Sequence, residues 1–320
     1  MKILVTGATG FVGSALLLRL SLDPQHQVKA ALRRDISNIP GGVTPVQVGG
    51  LCPETDWQPA VSGVNTIVHT AARAHVMNDT AGDPLAEYRR VNVVAVLNLA
   101  RQAAAAGAGR FIFISSIKVN GEGTPLGRPY SADDAPAPID PYGISKREAE
   151  DGLRQLAAET GMEVVIIRPP LVYGPGVKAN FLSMMRWLSK GMPLPLGAIH
   201  NRRSLVALGN LVDLIVTCIE HPAAANETFL VSDGEDLSTT ELLRRMGQML
   251  GRPARLLPVS PWMLEAGAAL LCKRTVLRRL CGSLQVDITK TRSRLSWSPP
   301  VSVDDALRAT ARHFLESSFR

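Results

Sequence analysis

Two side chains in this sequence, Tyr142 and Lys146, have the types and the spacing that acid–base chemistry requires. Residues four apart lie on the same face of a helix. A cation close to a phenol stabilises the phenolate and lowers the pKa of the tyrosine, which then exchanges a proton near neutral pH. An exposed pair on a helix would have the same spacing, so the chemical interpretation depends on where the pair lies in the fold.

A second polar site, Ser115-Ser116, ends an apolar segment that begins at Arg110 and is typical of a buried strand. In folds with parallel strands, ligands bind beyond the carboxyl ends of the strands, and Tyr142 begins the next helix along the chain. A hydroxyl at that point can hydrogen-bond a substrate oxygen beside the tyrosine, although a serine there can also serve only as a cap. We therefore predict that Ser116, Tyr142 and Lys146 form a catalytic set.

Residues 2–13, with the sequence KILVTGATGFVG, predict a phosphate-binding turn. Ile3–Val5 is typical of a strand buried on both faces, and a helical pattern follows the last glycine. The three glycines, Gly7, Gly10 and Gly13, would let backbone N–H groups and the positive end of the helix face one point, as in dinucleotide sites. Their spacing differs from G-x-G-x-x-G, and glycine-rich turns also arise for purely geometric reasons.

Strands alternate with helices along the first half of the chain, which predicts a doubly wound α/β fold with a parallel sheet over residues 1–168. Strands are expected at 27–32, 44–48, 65–70, 110–115 and 163–168, and helices at 84–107 and 142–160. Residues 169–320 are predicted to form a smaller mixed α/β substrate lobe, from which some segments can return to the first domain. This lobe is expected to contain helices at 181–190, 211–221, 239–250, 261–280 and 303–317, and short strands at 228–231, 255–257 and 284–286.

The composition, with 46% hydrophobic and 20% charged residues, is that of a folded globular protein. A net charge of +7 suits anionic partners. The basic residues are scattered and only 5% of residues are aromatic, so we expect a phosphate-bearing small molecule and no nucleic acid. The four cysteines and six histidines show no spacing typical of disulfides or metal ligands, so no metal is expected.

No apolar run is long enough for a membrane span, and the first is too short for a secretion signal, so a cytoplasmic protein is expected. The basic stretch Lys273–Arg279 could lie on a membrane surface. An ordinary amphipathic helix of the substrate lobe is the favoured interpretation of that stretch, and a contact within a homodimer is a third. His69, on an apolar strand, is interpreted as a packed histidine.

Six motifs in order along the chain resemble those of extended short-chain dehydrogenases/reductases, and more narrowly of the nucleotide-sugar epimerase/dehydratase group. They are TGATGFVG (6–13), VHTAA (68–72), Asn92, SS (115–116), YxxxK (142–146) and RP (168–169). Landmarks of that group's substrate lobe are similar as well: Asn180, RSLV (203–206), VDxxK (286–290) and LxWxP (295–299). The resemblance runs nearly end to end and implies a Rossmann-type domain followed by a substrate lobe.

The resemblance also implies a role for each site residue. Tyr142 is the acid/base, Lys146 its activator and a ligand of the nicotinamide ribose, and Ser116 the hydroxyl that aligns the sugar oxygen. Asn180 and Arg203 lie at the nucleotide diphosphate, where a guanidinium pairs well with phosphate, although Arg203 could also be a solvated surface cation. The implied cofactor-binding residues are Gly7, Gly10, Phe11, Val12, Gly13, Arg33, Leu51, Ala71, Asn92, Tyr142, Lys146 and Pro169.

The predicted second strand ends in Arg33-Arg34, without the Asp or Glu that binds the ribose 2′-hydroxyl of NAD. Arg33 suits a 2′-phosphate, so NADP(H) is favoured over NAD(H) as the cofactor. An arginine stacked on the adenine would also serve NAD, so this preference stays an expectation.

The residues after Ser116 narrow the reaction, since 4,6-dehydratases of this group carry Asp-Glu where this chain has Ile117-Lys118. Arg33, together with Asn120 where most epimerases carry Tyr, favours a 4-ketoreductase of a UDP-4-keto-6-deoxy-N-acetylhexosamine in surface polysaccharide biosynthesis. The main alternative is a UDP-glucose or UDP-N-acetylglucosamine 4-epimerase with tightly bound NAD. Two further alternatives are a non-catalytic NAD(P)-binding sensor and an oxidoreductase of a steroid or flavonoid ketone.

Overall fold

The computed structural model describes residues 1–34, 39–74, 82–260, 262–265 and 280–318. Its strands are β1 (Lys2–Thr6), β2 (Gln27–Leu32), β3 (Val43–Gln47), β4 (Thr66–His69), β5 (Arg110–Ile114), β6 (Glu163–Arg168), β7 (Leu171–Tyr173), β8 (Arg203–Ala207), β9 (Thr228–Leu230) and β10 (Asp236–Leu237). Its α-helices are α1 (Phe11–Ser21), α2 (Gln58–Val61), α3 (Pro84–Arg89), α4 (Ala95–Ala105), α5 (Pro141–Thr160), α6 (Ala179–Ser189), α7 (Leu208–Glu220), α8 (Thr239–Met249), α9 (Thr289–Leu295) and α10 (Val303–Ser318).

Seven strands in the order β3-β2-β1-β4-β5-β6-β9 form the large sheet, and every neighbouring pair is parallel. Helices cover both faces. Leu16 and Ile215, on α1 and α7, belong to one buried cluster, and Leu99 and Leu153, on α4 and α5, belong to another. Because the central strands are buried on both faces, they appear in the sequence as unbroken apolar runs. The predicted doubly wound α/β fold is confirmed.

The predicted helix over residues 84–107 is present but is not regular. Asp83 caps α3 by accepting from the backbone N–H of Ala86 at 3.1 Å, and Pro84 occupies the first turn. A π-helical turn at Arg90–Val94 then joins α3 to α4. Turns of this kind cluster at functional sites, and this one carries the buried Asn92.

The second half of the chain contributes to two layers. β9 pairs with β6 and extends the large sheet, and α7 packs against α1. A separate three-stranded sheet has the order β10-β8-β7, in which β7 and β8 are parallel and β10 is antiparallel to β8. Helices α6, α8 and α10 enclose a third apolar cluster against this small sheet.

Several short elements of the second half differ from the predictions. Residues 255–257 and 284–286 form isolated bridges and not strands: Leu256 pairs with Leu194, and Leu284 pairs with Arg203. The sequence pattern also misses β7, β8, β10 and α9, because runs of two to seven residues carry little periodicity of their own. Most of the predicted helix over 261–280, including Lys273–Arg279, lies outside the described residues.

Candidate active site

The glycine turn between β1 and α1 is a tight backbone cradle. Gly7 adopts a φ of 70°, in the left-handed region, and a Cβ there would lie 2.6 Å from the backbone nitrogen of Ala71. A Cβ on Gly13 would lie 2.1 Å from the Gly7 carbonyl oxygen, so the turn and the helix can pack this closely only without side chains. Gly10 caps α1 without a side-chain hydrogen bond, and its N–H donates to the Gly7 carbonyl at 2.8 Å.

The first turn of α1, which includes Phe11, Val12 and Gly13, therefore begins without a side-chain acceptor. The orphan N–H groups and the helix dipole at such an end attract phosphate. The residues present thus fit a dinucleotide, because three glycines form the turn and the donors at the start of α1 are backbone N–H groups.

Lys146 lies at the carboxyl end of β5. Its Nζ donates to the carbonyl oxygen of Ile114 at 2.8 Å, lies 4.3 Å from the centroid of the Phe113 ring and 5.9 Å from that of Tyr142. Burial lowers the pKa of Lys146 to about 7, although the charge of Glu150 acts in the opposite direction. The predicted Tyr142–Lys146 pair is therefore brought together at the end of β5.

Tyr142 lies in the first turn of α5, half-buried, with its ring 6.1 Å from that of Tyr88 in an edge-on arrangement. Burial raises the pKa of this phenol, and the charge of Asp140 raises it further. The isolated protein therefore holds Tyr142 as the neutral phenol, ready to donate its proton. Removing a proton from a substrate requires a positive charge close to the ring, which the ammonium form of Lys146 supplies.

Ser116 follows β5 and caps a short 3₁₀ turn, Ile117–Val119, where its Oγ accepts from the backbone N–H of Lys118 at 3.3 Å. It is half-buried. The carbonyl oxygen of Pro169, after β6, accepts from the N–H of Ile117 at 3.0 Å, so the ends of the two strands are held together.

Asn92 connects the π-helical turn to two other parts of the site. Its amide accepts from the N–H of Arg73 at 2.9 Å and donates to the Arg73 carbonyl at 3.1 Å. It also donates to the Oγ of Ser145 at 3.1 Å, and that hydroxyl donates to the Tyr142 carbonyl at 2.8 Å. Asn92 thus fixes the segment after β4, which contains Ala71, relative to the turn that carries Tyr142.

Two other predicted cofactor residues lie along the same edge of the sheet. Arg33 is exposed immediately after β2. Leu51, which is half-buried, packs against the core cluster of α4 and α5. Both positions are compatible with the predicted adenosine half of a dinucleotide, since the carboxyl ends of β1 and β2 lie side by side.

The two predicted diphosphate residues are arranged differently. Asn180 is exposed at the start of α6. Arg203, at the start of β8, is half-buried and donates to the carbonyl oxygen of Gly282 at 2.9 Å, and burial lowers its pKa. No described contact joins these two side chains, so their convergence on one ligand stays a prediction.

A linking segment, residues 282–287, connects β8 to the loop 121–140 that follows Ser116. The N–H of Ser204 donates to the Leu284 carbonyl at 2.8 Å, and that of Tyr130 donates to the Gln285 carbonyl at 2.9 Å. The side-chain amide of Gln285 accepts from the N–H of Gly127 at 2.8 Å. Backbone hydrogen bonds through this segment therefore join the small sheet to the loop that follows Ser116.

A buried ion pair beneath the site was not predicted. Arg168 donates to both carboxylate oxygens of Glu150, at 2.9 and 2.5 Å, and Ser115 donates to the same carboxylate at 2.6 Å. Arg168 also donates to Asn120 at 3.0 Å. The signal was available, since Glu150 continues the Tyr142–Lys146 spacing by one further step of four on α5.

His69 is a core residue, as predicted. It stacks between Phe111 and Phe113, with ring centroids 6.0 and 5.9 Å away, and its Nδ1 shares a 2.8 Å hydrogen bond with the hydroxyl of Thr6. Burial lowers its pKa to about 3, so the imidazole is neutral. Among the residues that the structure describes, no helix has the length and apolar character needed to cross a membrane.

A glycine turn suited to phosphate, together with a half-buried tyrosine beside a buried lysine on one edge of a doubly wound sheet, is typical of a dinucleotide-dependent enzyme. Residues 3–232 match the model of the NAD dependent epimerase/dehydratase family. The chain is 50% identical to a UDP-glucose 4-epimerase from Vibrio cholerae, over 100% of this chain and 97% of that one. The chain therefore belongs to the NAD-dependent epimerase/dehydratase family.

Two more distant proteins are similar over almost the whole length. A GDP-6-deoxy-D-mannose reductase from Pseudomonas aeruginosa is 25% identical, over 96% of this chain and 95% of that one. The solved structure of UDP-glucuronic acid 4-epimerase from Bacillus cereus in complex with NAD superposes with a TM-score of 0.79 at 20% identity, over 99% of both chains. The last comparison supports the fold alone.

Proposed function

We propose that this protein is a UDP-hexose 4-epimerase. The observation that carries the proposal is the 50% identity to the Vibrio cholerae UDP-glucose 4-epimerase over all 320 residues. The 4-ketoreductase interpretation, favoured by the sequence alone, becomes the second candidate. The arrangement around Tyr142 and Lys146 supports oxidation and reduction at a sugar hydroxyl in either case, because both reactions need one acid/base group at one carbon.

In the proposed reaction Tyr142 removes the proton of the sugar C4 hydroxyl and later returns a proton to the same oxygen. Ser116 hydrogen-bonds that oxygen and aligns it. Lys146 favours the phenolate by its charge, and the Ile114 carbonyl holds its Nζ in place at 2.8 Å. A bound nicotinamide dinucleotide supplies the acceptance and return of a hydride.

The polar residues of the substrate lobe fit a nucleotide sugar better than an uncharged ketone such as a steroid or a flavonoid. Arg203 is a half-buried guanidinium, and a diphosphate would offer it bidentate acceptors. We propose that Asn180 and Arg203 bind the diphosphate of UDP. Dehydration is not part of the proposal, since Lys118 occupies a position where the dehydratase chemistry requires a carboxylate. The proposal does not include a metal either.

The second candidate is an NADPH-dependent 4-ketoreductase of a UDP-4-keto-6-deoxy-N-acetylhexosamine. It is favoured by Arg33, which is exposed at the end of β2 where a 2′-phosphate would lie. Asn120 favours it as well, because this side chain is buried against Arg168 and donates to the Ser131 carbonyl at 3.0 Å, in place of a tyrosine. The reductase relative from Pseudomonas aeruginosa is consistent with this candidate.

The two candidates differ in whether the cofactor is consumed. The purified protein should be incubated with UDP-glucose or UDP-N-acetylglucosamine without added cofactor, and the products separated by chromatography. Formation of the C4 epimer supports the epimerase. Oxidation of added NADPH by the 4-keto sugar, without epimer formation, supports the reductase and overturns the first proposal.

Tyr142→Phe tests the mechanism that both candidates share. Its turnover should fall by about 10²- to 10⁴-fold, the usual contribution of a general acid/base, while cofactor binding is retained. A variant with full activity would exclude Tyr142 from the chemistry. Tight cofactor binding without any turnover in the unmodified protein would instead favour the non-catalytic sensor.

A further inference from the structure

Lys118 contacts both segments that carry the proposed catalytic residues. Its backbone N–H donates to the Oγ of Ser116 at 3.3 Å, within the turn after β5. Its Nζ forms an ion pair with the carboxylate of Asp140, just before α5, and lies 3.7 Å from that of Glu122. The Lys118 and Asp140 side chains are 30% and 27% exposed, so solvent screens the pair only in part.

Asp140 in turn holds the first turn of α5. Its Oδ1 accepts from the backbone N–H of Gly143 at 2.7 Å, which makes it the N-cap of the helix that begins with Pro141 and Tyr142. A Cβ on Gly143 would lie 2.8 Å from the carbonyl oxygen of Lys118, so the two segments touch through their backbones.

Titratable groups of α3 and α5 face Tyr142. Lys146 lies one turn further along α5, Tyr88 approaches from α3, and Arg73 lies 5.5 Å above the Tyr88 ring. Burial is the largest cause that raises the pKa of Tyr142, and the negative charge of Asp140 is the second. A cation paired with a carboxylate offsets part of the field of that carboxylate.

We propose that Lys118 is a positioning residue: it fastens the first turn of α5 to the strand end that carries Ser116, and it shields Tyr142 from the negative charge of Asp140. This inference rests on the proposed function in one respect, namely that Tyr142 exchanges the substrate proton.

The test is a double-mutant cycle that neutralises the two charges of one ion pair, singly and together. Lys118→Met leaves the Asp140 charge uncompensated, so the rising limb of kcat/KM against pH should move to higher pH by about 0.5 to 1 unit. At neutral pH this corresponds to a loss of about 3- to 10-fold. Asp140→Asn, which keeps a capping oxygen, should move the limb to lower pH, and the double variant should return to within about 0.3 units of the starting profile.

Two control variants separate charge from packing. Lys118→Arg keeps the cation and should retain the original pH profile. Lys190→Met removes an exposed lysine at the end of α6 and should also leave the profile unchanged. The proposal is overturned if Lys118→Met and Asp140→Asn move the limb in the same direction, or if neither moves it.

A spectroscopic titration keeps this test independent of turnover. The phenolate absorbance of each variant, minus that of the same variant carrying Tyr142→Phe, reports the titration of Tyr142 alone among the four tyrosines. The same opposite displacements should appear there. If they do while no UDP-hexose is converted, the proposed function fails and the role of Lys118 stands; if the titration is unmoved in an active enzyme, the role of Lys118 fails alone.

Discussion

The two halves of the site are built by different means. At the glycine turn of the cofactor edge, backbone lies against backbone: a Cβ on Gly7 would clash with the Ala71 nitrogen at 2.6 Å, and one on Gly13 with the Gly7 carbonyl oxygen at 2.1 Å. In the substrate lobe, the Arg203 side chain is held by a residue distant in sequence, because its guanidinium donates to the carbonyl oxygen of Gly282, 79 residues later. The first half therefore depends on local sequence, and the second on long-range pairing.

This difference indicates where substitutions can be tolerated. A backbone cradle recognises the phosphates that all dinucleotides share and leaves no room for variation. Asn180 and Arg203 lie on separate elements, α6 and β8, and each contributes one side chain to the proposed diphosphate site. We expect the glycine turn to respond to substitution in an all-or-none way, and the positions that contribute side chains to respond in graded steps.

The largest effect is expected at the cofactor edge, for Gly7→Ala. The added methyl would lie 2.6 Å from the Ala71 nitrogen, and alanine disfavours the left-handed backbone. We expect the Kd of the cofactor, measured by fluorescence titration, to rise at least about 100-fold, or by about 2.7 kcal/mol.

Gly251→Ala is the matched control, because Gly251 has a φ of 68° and open space around its Cβ position. It carries the backbone strain without the clash, so it should cost some stability and leave cofactor affinity unchanged. Equal losses of affinity in both variants would mean that strain, and not close approach, explains the cradle.

The next effect concerns the substrate lobe. Arg203→Ala should raise the KM for the nucleotide sugar by about 10- to 100-fold, since a charge-assisted hydrogen bond contributes about 1.5–3 kcal/mol. Cofactor affinity should not change. The neighbouring Arg202 is exposed, and Arg202→Ala should leave KM within about twofold. A loss of kcat with unchanged KM in Arg203→Ala would contradict the diphosphate role.

A smaller effect is expected for Arg33→Ala, which tests the adenosine end of the cofactor edge. Affinity for NADPH should fall about 10-fold and affinity for NADH should hardly change, because only NADPH carries the 2′-phosphate. Arg34→Ala is the control on the adjacent exposed residue. Parallel losses for both cofactors would point to stacking on the adenine instead.

The smallest effect is expected in the free energy of unfolding, and it concerns Lys146. In the folded chain the pKa of Lys146 is about 7 against 10.5 when unfolded, so unfolding binds a proton between these values. The free energy of unfolding should therefore rise as pH increases from 7 towards 10. Lys146→Met should flatten this dependence and raise Tm at pH 7 by about 2–4 °C, as thermal melts at several pH values would record. Parallel profiles for both proteins would contradict the lowered pKa.

Most of the large sheet could be predicted because its strands are buried on both faces. The apolar runs at β1, β4, β5 and β6 contain enough information to locate them, and so do the glycines at the turn after β1. The juxtaposition of Tyr142, Lys146 and the end of β5 followed from the same topology. The family and the fold expected from the motifs were confirmed by the comparisons.

The remaining features depend on partners distant in sequence. β8 is five residues long and is defined by its pairing with β7 and β10. No local sequence pattern predicts that pairing. Residues 284–286 look like a strand but are held by two isolated bridges. Asn180 and Arg203 were assigned to the nucleotide diphosphate by resemblance alone, and the KM measurements on Arg203→Ala test that assignment.

During translation, Gln285 is added 158 residues after its hydrogen-bond partner Gly127, which lies in the loop that follows Ser116. At about 5–20 residues per second this interval lasts on the order of 10 s. By the end of this interval strands β1 to β6 have been made, while the loop 121–140 still lacks its hydrogen-bond partners in residues 282–287. The nascent chain can therefore form the glycine turn and the first six strands early, and only the synthesis of residues 282–287 lets the loop close against β8.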